Sequence, residues 1–146
     1  MSYTIVVRPG ALYGGLAVPR VHPSFKVSNS DLIDFLKDRL RDRPGGAEPL
    51  RTVYVPDSAG NWNALVAREF AAPEEVPVGD LMVYVPKGAY ARFVPNGDYH
   101  DPAEDVWAQV DDATASAEIS RAYREEVEVW HGPDTVELFV SITVDS

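Results

Sequence analysis

The sequence predicts an α+β fold built from two strand-helix-strand-strand modules, with antiparallel sheets, helices on one sheet face and a cleft between the modules. The order strand, helix, hairpin occurs twice along the chain. Each predicted helix carries one apolar stripe, and several strands alternate apolar with polar residues, which is typical of sheets covered by helices on one face. The halves share this pattern but little residue identity, so the repeat is one of architecture.

The first module begins with a short strand, "TIVVR" at 4–8, and a second strand, "ALYGGLAVP" at 11–19, whose glycine pair favours a bulge or a close backbone approach. A helix is predicted over 28–43, with Ser28 as its N-cap. A hairpin at 51–70, with the turn-rich link "DSAGNW", completes the module. The apolar stripe of the helix is formed by Leu32, Ile33, Phe35, Leu36 and Leu40.

The second module repeats this order. Two strands flank "KG" within 81–95, and a helix over 101–113 opens with Asp-Pro, an N-cap followed by proline at the first helical position. Strands at 126–130 and 135–144 end the module. The apolar stripe of this helix contains Ala103, Val106, Trp107 and Val110.

Length and composition favour one globular domain over 1–146, with module one at about 1–72 and module two at about 78–146. Hydrophobic residues make up 45% of the chain, and mean hydropathy is -0.19. The chain has no cysteine, which excludes disulfides and a thiolate nucleophile. The sequence starts in a strand pattern without a signal peptide or a bilayer-spanning apolar run, so we expect a cytoplasmic protein that does not contact membranes.

Charge is distributed unevenly between the two halves. Residues 1–73 carry 9 Lys/Arg and 7 Asp/Glu, whereas residues 74–146 carry 4 and 16, and the whole chain has a net charge of -10. An acidic surface repels phosphate backbones, so we expect no direct binding to nucleic acid. The same surface attracts cations, although solubility alone is a sufficient reason for it.

Several kinds of catalytic site are not indicated. His22, His100 and His131 lie in Pro/Gly/Asp-rich connections, with no nucleophile elbow and no metal-ligand spacing. The glycine pairs match neither a P-loop nor a dinucleotide fingerprint. We therefore expect no metal and no cofactor.

Acids beside aromatic residues on the last two strands are the remaining candidates for a site. Glu128 and Trp130 alternate with valines, and Glu137 and Phe139 alternate with aliphatic residues. If the two strands form a hairpin, we expect all four side chains on one sheet face, the face that the helices do not cover. An aromatic-lined cavity with a carboxylate suits a flat organic cation. The alternative is that the aromatic residues, including Trp107, only pack in a core and that the acids are solvated on the outer face of the strands. Further candidate site residues are Tyr54 and Tyr84, on strands of similar pattern, and Trp107, whose ring would stack on a planar substrate.

The second half resembles the effector-binding domain of the DNA gyrase inhibitor (GyrI-like) family, whose motifs are similar to G-x-Y-A-x-F, F-E-x-Y and V-E-L-Y-I-P-I. The matching stretches are "GAYARF" at 88–93, "VEVW" at 127–130 and "VELFVSI" at 136–142. The first half is similar more loosely, through "ALYGGLAV" and "ALVAREF". The resemblance implies two strand-helix-strand-strand modules forming a cleft.

The resemblance also implies roles for single residues. The glutamate of V-E-L, which lies in the family's cleft, corresponds to Glu137, and the family's aromatic positions correspond to Trp130 and Tyr90. Ser141 stands where the family has proline, and Trp130 and Phe139 stand where tyrosines are usual, which makes the cleft more apolar.

Three functions are open at this point. The first is a stand-alone protein that binds drug-like aromatic, cationic compounds as a sensor or sequestering protein. The second is a hydrolase of cyclopropane-type or other strained electrophiles, with Glu137 as general base. The third is an interaction module that contacts gyrase. No helix-turn-helix precedes the first strand, so a role in transcription regulation would require a separate regulator as partner.

Overall fold

The computed structural model describes residues 3–23, 30–44 and 49–144 of the chain. It confirms the α+β class, with antiparallel strands and two helices. The predicted N-cap Ser28 lies outside the described residues. The elements are β1 (Tyr3–Arg8), β2 (Ala11–Val18), α1 (Ser30–Arg41), β3 (Leu50–Pro56), β4 (Trp62–Phe70), a 3-10 turn (Pro73–Glu75), β5 (Leu81–Val85), β6 (Gly88–Phe93), α2 (Pro102–Ala115), β7 (Arg121–Gly132) and β8 (Thr135–Ile142).

The eight strands within the described residues belong to one antiparallel sheet with the order β1-β6-β8-β7-β3-β4-β2-β5. The two halves of the chain meet where β7 pairs with β3. The first strand of each half lies in the other half's part of the sheet, because β1 pairs with β6 and β5 pairs with β2. The modules are therefore tied together by exchanged edge strands as well as by the central pair.

The sheet is strongly curled. Strands β1 and β2 stand six positions apart in the sheet, which is about 29 Å in a flat sheet, yet only Pro9 and Gly10 join them, a link of at most about 11 Å. The Nη2 of Arg8 accordingly reaches the hydroxyl of Tyr13, at 3.4 Å. Curling gives the sheet a helix-side face, covered by α1 and α2, and an inner face with its own buried cluster.

The second helix follows its sequence signals closely. Asp101 caps its start by accepting a hydrogen bond from the backbone N–H of Ala103, and Pro102 is the first helical residue. Its predicted stripe is buried at Val106, Trp107 and Val110. In the part of the chain that the structure describes, neither helix has the length and apolar character that crossing a membrane requires.

Two features predicted from the sequence need correction, the start of β7 and the apolar stripe of α1. Strand β7 begins at Arg121 rather than at 126, because Arg121 pairs with Ile142 of β8 before an irregularity in register that ends at Glu126. The apolar stripe of α1 is also narrower than expected. Its Leu32 and Phe35 are exposed, whereas Ile33 and Leu40 are buried on the sheet.

Candidate functional site

A pocket of about 310 Å³ opens on the helix-side face, between α1 and the start of α2. Its floor is formed by β3 and β7, the two strands at which the halves of the chain meet. The expected cleft between modules is thus present, but on the helix-covered side of the sheet. Its lining residues are Ile33, Asp34, Lys37, Asp38, Arg41, Tyr54, Asp101, Pro102, Ala103, Glu128, Trp130 and Pro133.

Glu128 is the central polar group of this pocket, and only 2% of its surface is exposed. Its Oε2 accepts hydrogen bonds from the Trp107 indole N–H at 2.7 Å and from the Tyr54 hydroxyl at 3.2 Å. Its Oε1 accepts one from the Trp130 indole N–H at 3.0 Å. These three donors are neutral, so they fix the carboxylate in place without neutralising its charge.

The donors are themselves held by packing. The rings of Tyr54 and Trp107 meet edge to face, with centroids 5.8 Å apart. Burial raises the pKa of Tyr54 well above its ordinary value, and the charge of Glu128 raises it further. Tyr54 therefore stays protonated at neutral pH and remains a hydrogen-bond donor to Glu128.

The rim of the pocket that α1 provides carries both signs of charge. Lys37 is buried, and its Nζ lies 3.7 Å from the centroid of the Trp130 ring, a cation–π contact. The same Nζ lies 3.9 Å from Asp34 Oδ1. Arg41 is paired with Asp38 at 3.2 Å. The Lys37 ammonium thus stacks on the Trp130 ring in a pocket that is also lined by four acids.

A second buried acid lies on the same sheet face, two residues before Glu128 on β7. Glu126 is fully buried, and its Oε1 pairs with Arg121 Nη2 at 2.5 Å. Burial raises the pKa of Glu126 to about 7, although the Arg121 guanidinium opposes that shift. This carboxylate is in direct ion-pair contact with the Arg121 guanidinium, whereas the hydrogen bonds of Glu128 come from neutral donors.

Glu137 lies in a different environment. Its two carboxylate oxygens contact Arg92 Nε and His131 Nε2, each at 2.5 Å, and its side chain is 22% exposed. Partial burial acts to raise the pKa of Glu137, but the hydrogen bonds from His131 and Arg92 outweigh it and lower that pKa. Glu137 is therefore an ionised carboxylate held by basic side chains of the protein itself.

The expectation that the acids and aromatics of β7 and β8 share one sheet face is wrong. In the β7–β8 register, Leu138 lies opposite Glu128, and Val129 lies opposite Glu137. Directly opposite residues point to the same face, so the two glutamates point to opposite faces. Glu128 and Trp130 lie on the helix-side face, whereas Glu137 does not line the pocket.

The remaining predicted site residues are divided in the same way. Tyr54 and Trp107 join Glu128 and Trp130, as described above. Phe139 and Tyr90 pack in the cluster of the inner face, where the Arg8 guanidinium lies 4.3 Å from the centroid of the Phe139 ring. Tyr84 is exposed on the edge strand β5 and contributes to neither group.

The pocket residues that α1 supplies, above all Lys37, were not among the residues predicted from the sequence. A signal was present in the sequence. Lys37 follows Ile33 by four residues and precedes Leu40 by three, which places a lysine inside the buried stripe of an amphipathic helix. A lysine in such a stripe indicates that something polar lies opposite.

The chemistry available in this pocket is recognition of charge and of aromatic surface. It offers a carboxylate oriented by three hydrogen bonds, the face of an indole ring and a phenol that stays protonated. In the described ranges, no three His, Asp or Glu side chains are grouped so as to hold a metal ion.

Comparison with solved structures shows whole-chain similarity at low sequence identity. An integron cassette protein from the mobile metagenome of Vibrio cholerae superposes with a TM-score of 0.72 and 17% identity, over 97% of this chain and 96% of that one. The protein SAV2435, solved with tetraphenylphosphonium bound, gives 0.72 and 9%, over 98% and 94%. A candidate transcription regulation protein of Staphylococcus aureus MU50 gives 0.65 and 10%, over 99% of both chains. No protein-family model and no curated protein matches the sequence.

Proposed function

We propose that this protein binds aromatic organic cations in the helix-side pocket, with Glu128 as the charged group that recognises them. The observation that carries the proposal is the environment of Glu128, a buried carboxylate whose three hydrogen bonds come from the neutral donors Tyr54, Trp107 and Trp130. Removing a carboxylate from water costs several kcal/mol, and neutral donors offset only part of that cost. A cation entering the pocket would offset more of it.

Further points support a cationic, aromatic ligand. The pocket already holds one cation over the Trp130 ring, the Lys37 ammonium, and this contact supports a preference of the indole face for positive charge. A unit charge about 4 Å from Glu128 would gain about 4 kcal/mol at the effective dielectric constant of a protein surface. The similarity in fold to SAV2435, which was solved with an aromatic phosphonium cation, points to the same ligand class, as does the resemblance to the GyrI-like family.

Titration calorimetry with tetraphenylphosphonium tests the proposal. Glu128→Gln keeps the size of the side chain and removes its charge, so affinity should fall at least about tenfold. Glu137→Gln is the matched control, because it removes the same charge from the neighbouring strand on the other sheet face. Glu137→Gln should change affinity by less than about twofold, because the cation would bind on the opposite face of the sheet.

The role of Glu137 in function stays a prediction, and the same titration decides it. If Glu137→Gln weakens binding while Glu128→Gln does not, the cation site is on the inner face and the proposal is wrong. Equal binding by wild type and both variants would likewise remove the glutamates from recognition.

A further inference from the structure

Lys37 is the most unusual residue of the pocket. Its side chain is only 7% exposed, although lysine is among the residues least often buried. It reaches from α1 across the pocket and places its ammonium 3.7 Å from the centroid of the Trp130 ring. A ring face contacted in this way is where the positive charge of an organic cation would bind.

We infer that Lys37 is a displaceable internal cation that competes with ligands for the Trp130 face and thereby sets the selectivity of the pocket. The inference rests on the proposed function. A small alkylammonium ion offers Trp130 nothing that Lys37 does not already supply, so it has no advantage over the tethered lysine. A bulky aromatic monocation adds apolar contact area to its charge, and that area is what allows it to displace the lysine.

The structure provides a place for the displaced ammonium. Asp34 lies one helical turn before Lys37, its Oδ1 is 3.9 Å from the ammonium, and its side chain is 74% exposed. The ammonium already contacts Asp34 while it lies over Trp130, so rotation about the lysine side-chain bonds can carry it outwards while it stays beside that carboxylate. Because the lysine charge then stays paired in solvent, displacement does not leave a buried, isolated cation.

Pocket size agrees with this arrangement. The cavity measures about 310 Å³ with the lysine in place, which is near the lower limit for pockets that enclose drug-sized ligands. Outward movement of Lys37 enlarges the space directly above Trp130 and Glu128. The lysine thus occupies the volume as well as the charge position that a bulky aromatic cation requires.

The opposite role for Lys37 would be to bind an anionic group of a ligand. The charges of the lining argue against it, because four acids and two basic residues surround the pocket. An incoming carboxylate would meet Asp34, Asp101 and Glu128 as well as the lysine. A cation that replaces the Lys37 ammonium meets the same three acids with favourable sign.

The test compares Lys37→Met and Lys37→Gln with wild type in titrations with tetraphenylphosphonium and with the neutral triphenylphosphine oxide. Removal of the internal cation should strengthen phosphonium binding about tenfold in both variants. The ligand then no longer has to break the Lys37–Trp130 cation–π contact or approach a resident positive charge. The neutral compound gains only space, so its affinity should rise by less than about threefold. Lys87→Met is the matched control, because Lys87 is exposed and does not line the pocket.

The outcomes separate this inference from the proposed function. If wild type binds tetraphenylphosphonium and the Lys37 variants bind it no better than Lys87→Met does, Lys37 is not a competitor. Weaker binding by the Lys37 variants would make the lysine a ligand contact, which also overturns the inference. If neither wild type nor any Lys37 variant binds the phosphonium, the proposed function itself fails.

Discussion

Glu128 and Glu137 stand on neighbouring strands, yet their surroundings differ in kind. Glu128 is buried on the helix-side face and receives its hydrogen bonds from two indoles and a phenol. Glu137 is partly exposed and is held by Arg92 and His131. The first carboxylate is hydrogen-bonded by neutral donors in a pocket that also holds the Lys37 ammonium, whereas the second is paired directly with two basic side chains.

A cation site is indicated by the kind of side chain that contacts a carboxylate, and the presence of an acid in a strand is not enough. A carboxylate already paired with a guanidinium gains little from a further cation, because that cation is repelled by the resident one. A carboxylate held by neutral donors keeps its attraction for an external cation. Glu126 is buried beside Arg121 and forms a direct ion pair with it. In this respect Glu126 resembles Glu137 and differs from Glu128.

The largest expected difference between the two glutamates is in stability. Glu128→Ala leaves three buried donors without an acceptor and should lower the free energy of unfolding by about 3 to 4 kcal/mol. Glu137→Ala removes partly exposed ion pairs and should cost about 1 kcal/mol. Urea denaturation at pH 7 measures both. Equal losses would mean that the Glu128 network contributes no more than a surface ion pair.

A smaller effect is expected from pH, through Glu126. The raised pKa of about 7, against an ordinary value of 4.5, means that the folded state binds more protons than the unfolded state between these values. Stability should therefore fall as pH rises from about 5 to 8, by about 2 to 3 kcal/mol from this group. Denaturation of wild type and Glu126→Gln across that range checks it. Parallel profiles would show that Glu126 titrates normally.

The smallest effect is expected at the acid limb, through Glu137. Its pKa is lowered in the folded state, so its contribution is present above its ordinary value and is lost as pH falls through the folded pKa. Glu137→Gln should remove a pH-dependent stability of less than about 1 kcal/mol between pH 7 and pH 3. A loss of stability in this variant that is independent of pH would indicate packing instead of charge.

The family resemblance and the geometry of the helix-side pocket point to different glutamates. The resemblance implied Glu137 as the cleft glutamate, through the V-E-L motif, and it implied Trp130 as a cleft aromatic. The structure places Trp130 in the pocket and Glu137 outside it, with Glu128 of the neighbouring V-E-V-W stretch taking the central position. Similarity of short motifs fixed the strands correctly, but it did not fix which glutamate of the hairpin faces the helices.

The sequence by itself determined the elements and the class of the fold. Alternation of apolar residues identified the strands, the periodic stripe with Asp101 and Pro102 identified α2, and their order identified the α+β architecture. These features depend on local periodicity and capping, which neighbouring residues encode directly. The same local signals selected Glu128, Trp130, Trp107 and Tyr54, which do come together.

Only the tertiary structure decided which residues share a face and what completes the pocket. Alternation assigns Glu128 and Glu137 each to one side of its own strand. Which side of β7 corresponds to which side of β8 depends on the register in which the two strands pair. A register shift of one residue would move every side chain of one strand to the opposite face. The approach of α1 to β7 likewise brings Lys37 onto Trp130 from more than ninety positions away in sequence. Register and long-range packing are properties of the whole sheet, so no local stretch of sequence contains them.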